Sequence, residues 1–397
     1  MKIVFLSFKS LIDRDSGAAL ELKTVMEFLA ANGDTCSSYC INCYDVGENY
    51  THDEEIRKGS SQKVLPGQVF KYISKGISHH LYVGVSKDTR NLTSDDLRNY
   101  IKLTKAYLDQ EKPDLVIFFG SKEMMPILET AYAIGAKIAF YLGSAALVES
   151  HKPLIEISDH LVVPSKFIGD HYQRMFGKLC VKINTSLPFT PVSFGDIDYT
   201  TRQNYGFVTL VNPTPDKGGH IFMAMSQRFK NENRLFLCIE SRGKRSFWRK
   251  SGIKVDHFEN LLWAPWQSDI RKLLRRSALL VMPSLVNEAA GKVISEAMAL
   301  GVPCLGYDVG GIKEQIGLGG RTLRFDSVLA SDKVTGSYTS RVPKGPIDDW
   351  EKEIRDILSD KEEYENLSKA ALTEANRFLI ERTAMTWREL GTPSSNL

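Results

Sequence analysis

Short, wholly apolar runs alternate with longer segments whose apolar residues recur at helical spacing, and this rhythm constrains the fold more than any other feature. A strand that is apolar on both faces must be covered on both, and amphipathic helices are what cover it. The alternation therefore predicts a parallel sheet between helical layers. Lys2–Phe8 is such a run. A polar loop, Lys9 to Gly17, leads into Ala18–Ala31, where Leu22, Val25, Met26 and Leu29 share one face and Gly33 ends the helix. Asp34 to Cys43 reads as the second strand. The rhythm resumes with a helix at Asp95–Glu111, a strand at Asp114–Phe119, a helix at Met124–Ile134, strands at Lys137–Leu142 and Asp159–Ser165, and a helix from Lys166.

Between about 45 and 95 the pattern weakens, and the region, with Thr51 to Lys58 and the pair His79-His80, reads as loop plus one short helix. A second break, Leu187-Pro-Phe-Thr-Pro191 and the polar run to Asn204, has turn residues and no periodicity, which marks a hinge. The rhythm then restarts. Strands are expected at Tyr205–Val211, Leu235–Glu240, a run ending in Trp263, Ala278–Met282 and Cys304–Asp308. Helices are expected near His220–Phe229, at Asp269–Arg276 and at Ala290–Leu300, with Asp348–Leu379 helical throughout and a last amphipathic piece holding Phe378, Met385 and Trp387. The division is 1–187, a hinge at 188–204, 205–376, and 377–397 as a terminal helix and tail.

With 397 residues, 43% of them hydrophobic and 25% charged, two domains can each build a core. The net charge of +3 excludes a nucleic-acid footprint: residues 1–190 carry 22 basic and 22 acidic side chains, so the whole excess lies in the second half. No stretch approaches the roughly 18 apolar residues of a membrane span, and the start has no signal-peptide core, so the chain reads as cytoplasmic. Six cysteines are then expected as thiols. Cys36-x3-Cys40-x2-Cys43 has the spacing of the iron–sulfur loop of radical enzymes that use S-adenosylmethionine. The competing reading places these thiols in the second strand, packed against helix and sheet. Neither a dinucleotide nor a P-loop glycine motif is present.

The chemistry concentrates in Pro283-Ser-Leu-Val-Asn-Glu288-Ala-Ala-Gly-Lys-Val-Ile-Ser-Glu296-Ala-Met-Ala-Leu-Gly301-Val-Pro303. Two glutamates stand eight apart, the first just before a predicted helix and the second two turns in, roughly 12 Å along the axis. Between them Ala289, Ala290 and Gly291 offer backbone N–H groups where a diphosphate would be held. One carboxylate can take ribose hydroxyls and the other sugar hydroxyls, so the spacing suits a nucleotide-sugar. The bland alternative is a surface acid on a helix and a helix-start acid complementing the dipole. Against it, Glu288 follows a buried strand at its carboxyl end. Gly301-Val-Pro303 turns back into another strand, which ends at Asp308-Val-Gly-Gly-Ile-Lys-Glu314 on the same rim.

This segment resembles the signature of retaining glycosyltransferases of the GT-B fold, most closely family 4 (group 1). There a glutamate, seven residues and a second glutamate precede a Gly-x-Pro turn and a Gly-Gly-x-x-Glu loop. Asn212-Pro-Thr-Pro-Asp-Lys217-Gly218 resembles that family's diphosphate-contacting loop, Asp159–Ser165 the strand closing its N-terminal domain, and Ser16-Gly17-Ala-Ala its first-loop glycine motif. The resemblance implies two doubly wound, Rossmann-like α/β domains facing a cleft, acceptor-binding first and donor-binding second, with a C-terminal helix crossing back. It implies that Glu296 binds the ribose and Glu288 the sugar, and that Lys217 holds the leaving diphosphate, making Glu288 and Lys217 the catalytic pair. Gly17, Ala289, Ala290, Gly291 and Val293 would complete the donor site, with Arg242 substituting for the family's second cation, absent at Asn212-Pro213. Where the family has a histidine, this chain reads Gly143-Ser144, so Gly143, Ser144 and Ser121 are the cleft candidates on the acceptor side. No metal and no cofactor are implied, and the donor is expected to be a nucleoside diphosphate sugar, with UDP-glucose commonest. The acceptor would be a glycan or lipid-linked sugar in surface polysaccharide assembly.

Asp13-Arg-Asp15 and Asp196-Ile-Asp198 match the D-x-D of metal-dependent transferases, but so short a pattern is common. Arg242–Lys250 holds five basic residues in nine with Phe247 and Trp248 among them: either a solvated face or a contact with a lipid-diphosphate or the inner face of a membrane. Alternatives on the same fold are a sugar-nucleotide epimerase, a phosphorylase and a non-catalytic nucleotide-sugar sensor. The nucleobase is expected near Leu262-Trp-Ala-Pro-Trp266, and acceptor contacts in 45–95.

Overall fold

The computed structural model describes residues 1–45, 65–324 and 344–392. The chain forms two units, Met1–Pro188 with Ile380–Leu397, and Phe189–Leu379. The first contains β1 (Lys2–Ser7), α1 (Gly17–Ala31), β2 (Thr35–Ile41), β3 (Val69–Ser74), β4 (Ile77–Tyr82), α2 (Ser94–Glu111), β5 (Leu115–Phe118), α3 (Met125–Ala133), β6 (Lys137–Tyr141), α4 (Lys152–Ile157), β7 (His160–Val163), α5 (Lys166–Phe176) and β8 (Cys180–Lys182). Its sheet runs β3-β4-β2-β1-β5-β6-β7-β8. Every neighbouring pair is parallel except β3 with β4. The strand order reverses between β1 and β5.

Sequence and structure part company at the edge of that sheet. Where a loop and one short helix were expected, β3 and β4 form a hairpin closed by Lys75 and Gly76, both with positive φ (46° and 81°), as a tight two-residue turn requires. An edge strand is half solvated, so its pattern is diluted by exposed Lys71 and Ile73. On β4 the polar pair His79-His80 is buried rather than looped. His79 stacks on Tyr72 (4.7 Å) and His80 on Tyr39 (5.6 Å). The stretch Thr51 to Lys58 lies outside the described residues.

The second unit contains α6 (Tyr199–Tyr205), β9 (Phe207–Val211), α7 (Gly219–Arg228), β10 (Phe236–Ile239), α8 (Arg245–Lys250), β11 (Leu261–Ala264), α9 (Arg271–Leu274), β12 (Ser277–Met282), α10 (Lys292–Met298), β13 (Cys304–Tyr307), α11 (Ile312–Ile316), β14 (Gly320–Leu323), α12 (Lys344–Ser359) and α13 (Lys361–Ala375). Its sheet, β11-β10-β9-β12-β13-β14, is parallel throughout and reverses between β9 and β12. The chain passes from the first unit to the second at Pro188, and the rest of the run 188–204 expected as the hinge belongs to the second unit. Arg202 of α6 donates to the carbonyls of Leu300 (2.9 Å) and Gly301 (3.0 Å), capping the end of the signature helix. The helix expected over Asp348–Leu379 is two, because the Asp360 carboxylate caps a new helix at the Glu363 N–H (3.0 Å).

The chain returns to the first unit as α14 (Ile380–Glu389). It packs on α1. Trp387 is 1% exposed, its ring 5.8 Å from that of Tyr141, and Arg388 pairs with buried Asp34 at 3.0 Å. Buried Glu21 of α1 accepts the Ser186 N–H on both oxygens (2.8 and 2.9 Å), and the Ser186 hydroxyl meets that of Thr383 at 2.6 Å. The last strand's exit is thereby tied to that carboxylate and, through the Ser186 hydroxyl, to the returning helix. No described helix is long and apolar enough to cross a membrane.

Candidate active site

The loops after β9, β10, β12 and β13 lie along the carboxyl rim of the second sheet, and those after β9 and β12 flank its switch point, where open α/β sheets place ligands. Lys217 ends a short 3-10 turn, Pro215–Lys217, that follows β9. Gly218 then turns the chain into α7 with φ 72°, and a Cβ there would stand 2.0 Å from the Pro283 carbonyl oxygen. Only glycine allows the Lys217 turn to lie so close on the end of β12. The Leu285 N–H donates to the Asp216 carbonyl (2.9 Å), stitching the two loops together.

Glu288 is 8% exposed. Its Oε1 accepts hydrogen bonds from Lys217 Nζ and, at 2.8 Å, from the Ser284 hydroxyl. The carboxylate is thus both neutralised and oriented. Its backbone is held from the other side by the glycine pair after β13. The Gly311 N–H donates to the Glu288 carbonyl (2.8 Å), and a Cβ on Gly310 (φ 63°) would stand 2.4 Å from that oxygen. A cation from the loop after β9 and a carboxylate and a hydroxyl from the loop after β12 therefore converge at the switch point.

The signature helix begins later than its sequence suggests. α10 starts at Lys292, with Gly291 (φ 80°) at the cap, and not at Ala290. Glycine in the left-handed region interrupts the helical path that Ala289 and Ala290 would otherwise begin. Ala289, Ala290 and Gly291 form the loop ahead of it, and none of their N–H groups has a hydrogen-bond partner among the described residues. Glu296 is the fifth helical residue, little more than one turn in rather than two, and is half-buried, as is Val293. Arg242 is exposed on the loop after β10. The Asn212 side chain, on a residue with φ 58°, accepts the Gly243 N–H (2.8 Å) and so lays Arg242's loop against the segment leading to Lys217. Sequence reasoning passed over Ser284 and Asn212. The only signal for Ser284 was its place directly after the strand.

In the first unit the switch-point loops follow β1 and β5. Gly17 heads α1 and is exposed, and a Cβ there would meet no protein atom within 4 Å, so packing alone does not demand glycine. Gly143 lies beside it: its Cβ would be 3.5 Å from that of Ala18. The exposed Ser144 accepts the Tyr172 hydroxyl on its carbonyl (2.5 Å), and the Ser121 hydroxyl donates to Glu123 (2.6 Å).

The decoys resolve into structure. Asp13 is buried, accepting the N–H groups of Asp15 (3.0 Å) and Asp45 (2.7 Å). Asp198 caps α6. Cys36 and Cys40 lie on β2 in the core, where the packed-thiol reading puts them, and burial pushes the thiols of Cys36, Cys40 and Cys43 up to about 12. In the basic run, Trp248 is fully buried with its ring N–H on the Pro213 carbonyl (2.7 Å), and Arg245 and Arg249 both pair with Asp256. The tryptophan is therefore core, not a group presented to a membrane.

Residues 215–373 match the family model of the glycosyl transferases group 1, and this span holds Lys217, Glu288 and Glu296. No curated protein matches the sequence. Among solved structures, the chain is similar to the sucrose-phosphate synthase of Thermosynechococcus elongatus (15% identity, 98% of each chain, TM-score 0.71). It is also similar to Anabaena HepE solved with UDP-glucose (14%, 98% of each chain, TM-score 0.67). A third is WaaG, a glycosyltransferase of lipopolysaccharide biosynthesis (13%, 97% of this chain and 99% of that one, TM-score 0.60). The chain thus has the GT-B fold of the glycosyltransferases, two Rossmann-like units, with the group 1 family's pattern across most of the second.

Proposed function

We propose that the protein is a retaining glycosyltransferase that moves a hexose from a UDP-sugar, best read as UDP-glucose, to a glycan or lipid-linked acceptor in surface polysaccharide assembly. The observation that carries this reading is Lys217, Glu288 and Ser284 meeting at the switch point of the unit that matches the group 1 family. HepE binds UDP-glucose, and that donor is taken over here on likeness of fold.

In this reading the loop amides of Ala289, Ala290 and Gly291 and the ammonium of Lys217 hold the diphosphate. Glu296 takes the ribose hydroxyls, and Glu288 takes a sugar hydroxyl through Oε2. Charge that develops on the leaving phosphate oxygen is met by the ammonium of Lys217. The acceptor hydroxyl attacks C1 on the face the diphosphate leaves. Its proton passes to the departing phosphate oxygen as the C1–phosphate bond breaks and the new glycosidic bond forms, so configuration is retained without a protein nucleophile. The lysine and the amides perform the neutralisation that a metal performs elsewhere, so no metal is required.

Thermal unfolding with UDP, GDP, ADP and their hexose conjugates, with and without EDTA, tests the reading. A ligand at 100 times its Kd stabilises by about 2.7 kcal/mol, roughly 5–10 °C for a domain of this size. UDP and UDP-glucose are expected to raise the midpoint regardless of EDTA, and UDP-glucose to be turned over with an added acceptor. If no nucleotide shifts the midpoint, the donor reading is wrong. Turnover without acceptor, or only with phosphate, would turn it toward an epimerase or a phosphorylase.

A further inference from the structure

We infer that Ser284 is a positioning residue: it keeps the Glu288 carboxylate aimed at the donor sugar when the diphosphate draws Lys217 away. The inference rests on the donor reading above. Both partners of Glu288 bind the same oxygen, Oε1, but they differ in freedom. The Lys217 side chain is 23% exposed on a flexible stem. Ser284 is 1% exposed, on the short segment that leaves β12.

A diphosphate carries at least two negative charges and competes for the ammonium directly. Once Lys217 turns to it, Oε1 keeps only the serine. The hydroxyl also lies 3.4 Å from the carbonyls of Asp216 and Val286, but its single proton goes to the closer and charged acceptor at 2.8 Å. The terminal torsion of a glutamate is broad, so a carboxylate without a fixed partner samples many orientations. With Oε1 held by Ser284, Oε2 faces the sugar in one orientation. Ser284 also borders the lysine's own turn, because the next residue, Leu285, donates to Asp216. The serine is thus placed to fix the carboxylate against the loop that carries the cation.

The test uses Ser284→Ala and Ser284→Cys, with UDP and UDP-glucose as probes. Cysteine nearly keeps the volume but is a poor donor, so it separates hydrogen bonding from packing. Both variants are expected to bind UDP within about twofold of the wild type while kcat for glucosyl transfer from UDP-glucose falls roughly tenfold or more, with KM little changed, since a hydrogen bond to a charged group is worth about 1.5–3 kcal/mol. Wild-type kcat in Ser284→Cys would mean that packing and not the hydroxyl matters, and would overturn the inference. So would equal loss of UDP and UDP-glucose affinity, which would mean that the serine shapes the phosphate loop. A wild type that binds UDP-glucose while both variants match it in kcat overturns the role of Ser284 alone. A wild type that binds neither ligand overturns the donor reading and takes this inference with it.

Discussion

Glu288 and Lys217 neutralise each other in the ligand-free protein, so each residue's contribution can be read only against the ligand that separates them. Lys217→Ala removes the cation expected at the leaving group. Transfer from UDP-glucose is expected to fall by about 10²-fold or more, the cost of losing one preorganised charge-stabilising group, with the UDP-induced rise in the unfolding midpoint also reduced. Glu288→Ala should separate the two effects: glucosyl transfer is lost, while the midpoint shift with UDP, which has no sugar, is retained. Loss of both together would show that Glu288 acts on the phosphates. The places of these two side chains at strand ends are legible because glycines, prolines and buried runs mark where strands end. The partner of Ser284 is not, because nothing local says which carboxylate a serine will face until the loop is folded.

At the level of elements, the site depends on loops that touch through their backbones. Gly310→Ala would put a Cβ within 2.4 Å of the Glu288 carbonyl oxygen at a left-handed φ. Left-handed strain alone costs about 1–3 kcal/mol in a non-glycine residue, and the second unit's unfolding free energy, read from its denaturant midpoint, should fall by at least that. In the first unit, two buried groups pull pH dependence in opposite directions. Burial, helped by nearby Lys23, lowers the His79 ring to about 4, and burial raises Asp13 to about 6 despite its two backbone hydrogen bonds. As pH falls from about 6.5 to 4, the unfolded chain takes up a proton at His79 that the folded chain refuses, which costs up to about 3 kcal/mol of stability. Over nearly the same window the folded chain protonates Asp13 before the unfolded chain does, which returns a similar amount. His79→Asn, whose amide can keep the hydrogen bond that Ser38 makes to the ring at 2.9 Å, should make the unit gain stability on acidification. Asp13→Asn should make it lose stability. Parallel pH slopes in both variants and the wild type would refute this account. The β3–β4 hairpin escaped the sequence reading for the same reason that it holds these histidines: aromatic stacking at a sheet edge buries polar residues without leaving an apolar run.

For the whole molecule, the rhythm of strands and helices was enough to read two α/β units. The division between them was harder to see. The run after Pro188 looks like a linker because its polar residues show no period, yet Val192, Ile197 and Arg202 close on the signature helix and its Gly301 turn: the Val192 N–H reaches the Ala299 carbonyl at 2.9 Å. Contacts so far apart in sequence leave no local trace. The returning helix makes its own prediction. Trp387→Ala, which empties a site 1% exposed beside Tyr141, should destabilise the first unit by about 3–5 kcal/mol and leave unfolding of the second unit unchanged, as two calorimetric transitions would report.

That return also sets an order of events during synthesis. The first unit is made from two stretches separated by the whole second unit, Phe189–Leu379. At about 5–20 residues per second, a ribosome needs roughly 10–40 s to add that insert. Throughout the interval the face of α1 that α14 will cover, and the pocket beside Tyr141 that Trp387 will fill, stand open on the nascent chain. The unit that begins first is thus the last to be completed, and for tens of seconds it presents an apolar surface to which a chaperone can bind.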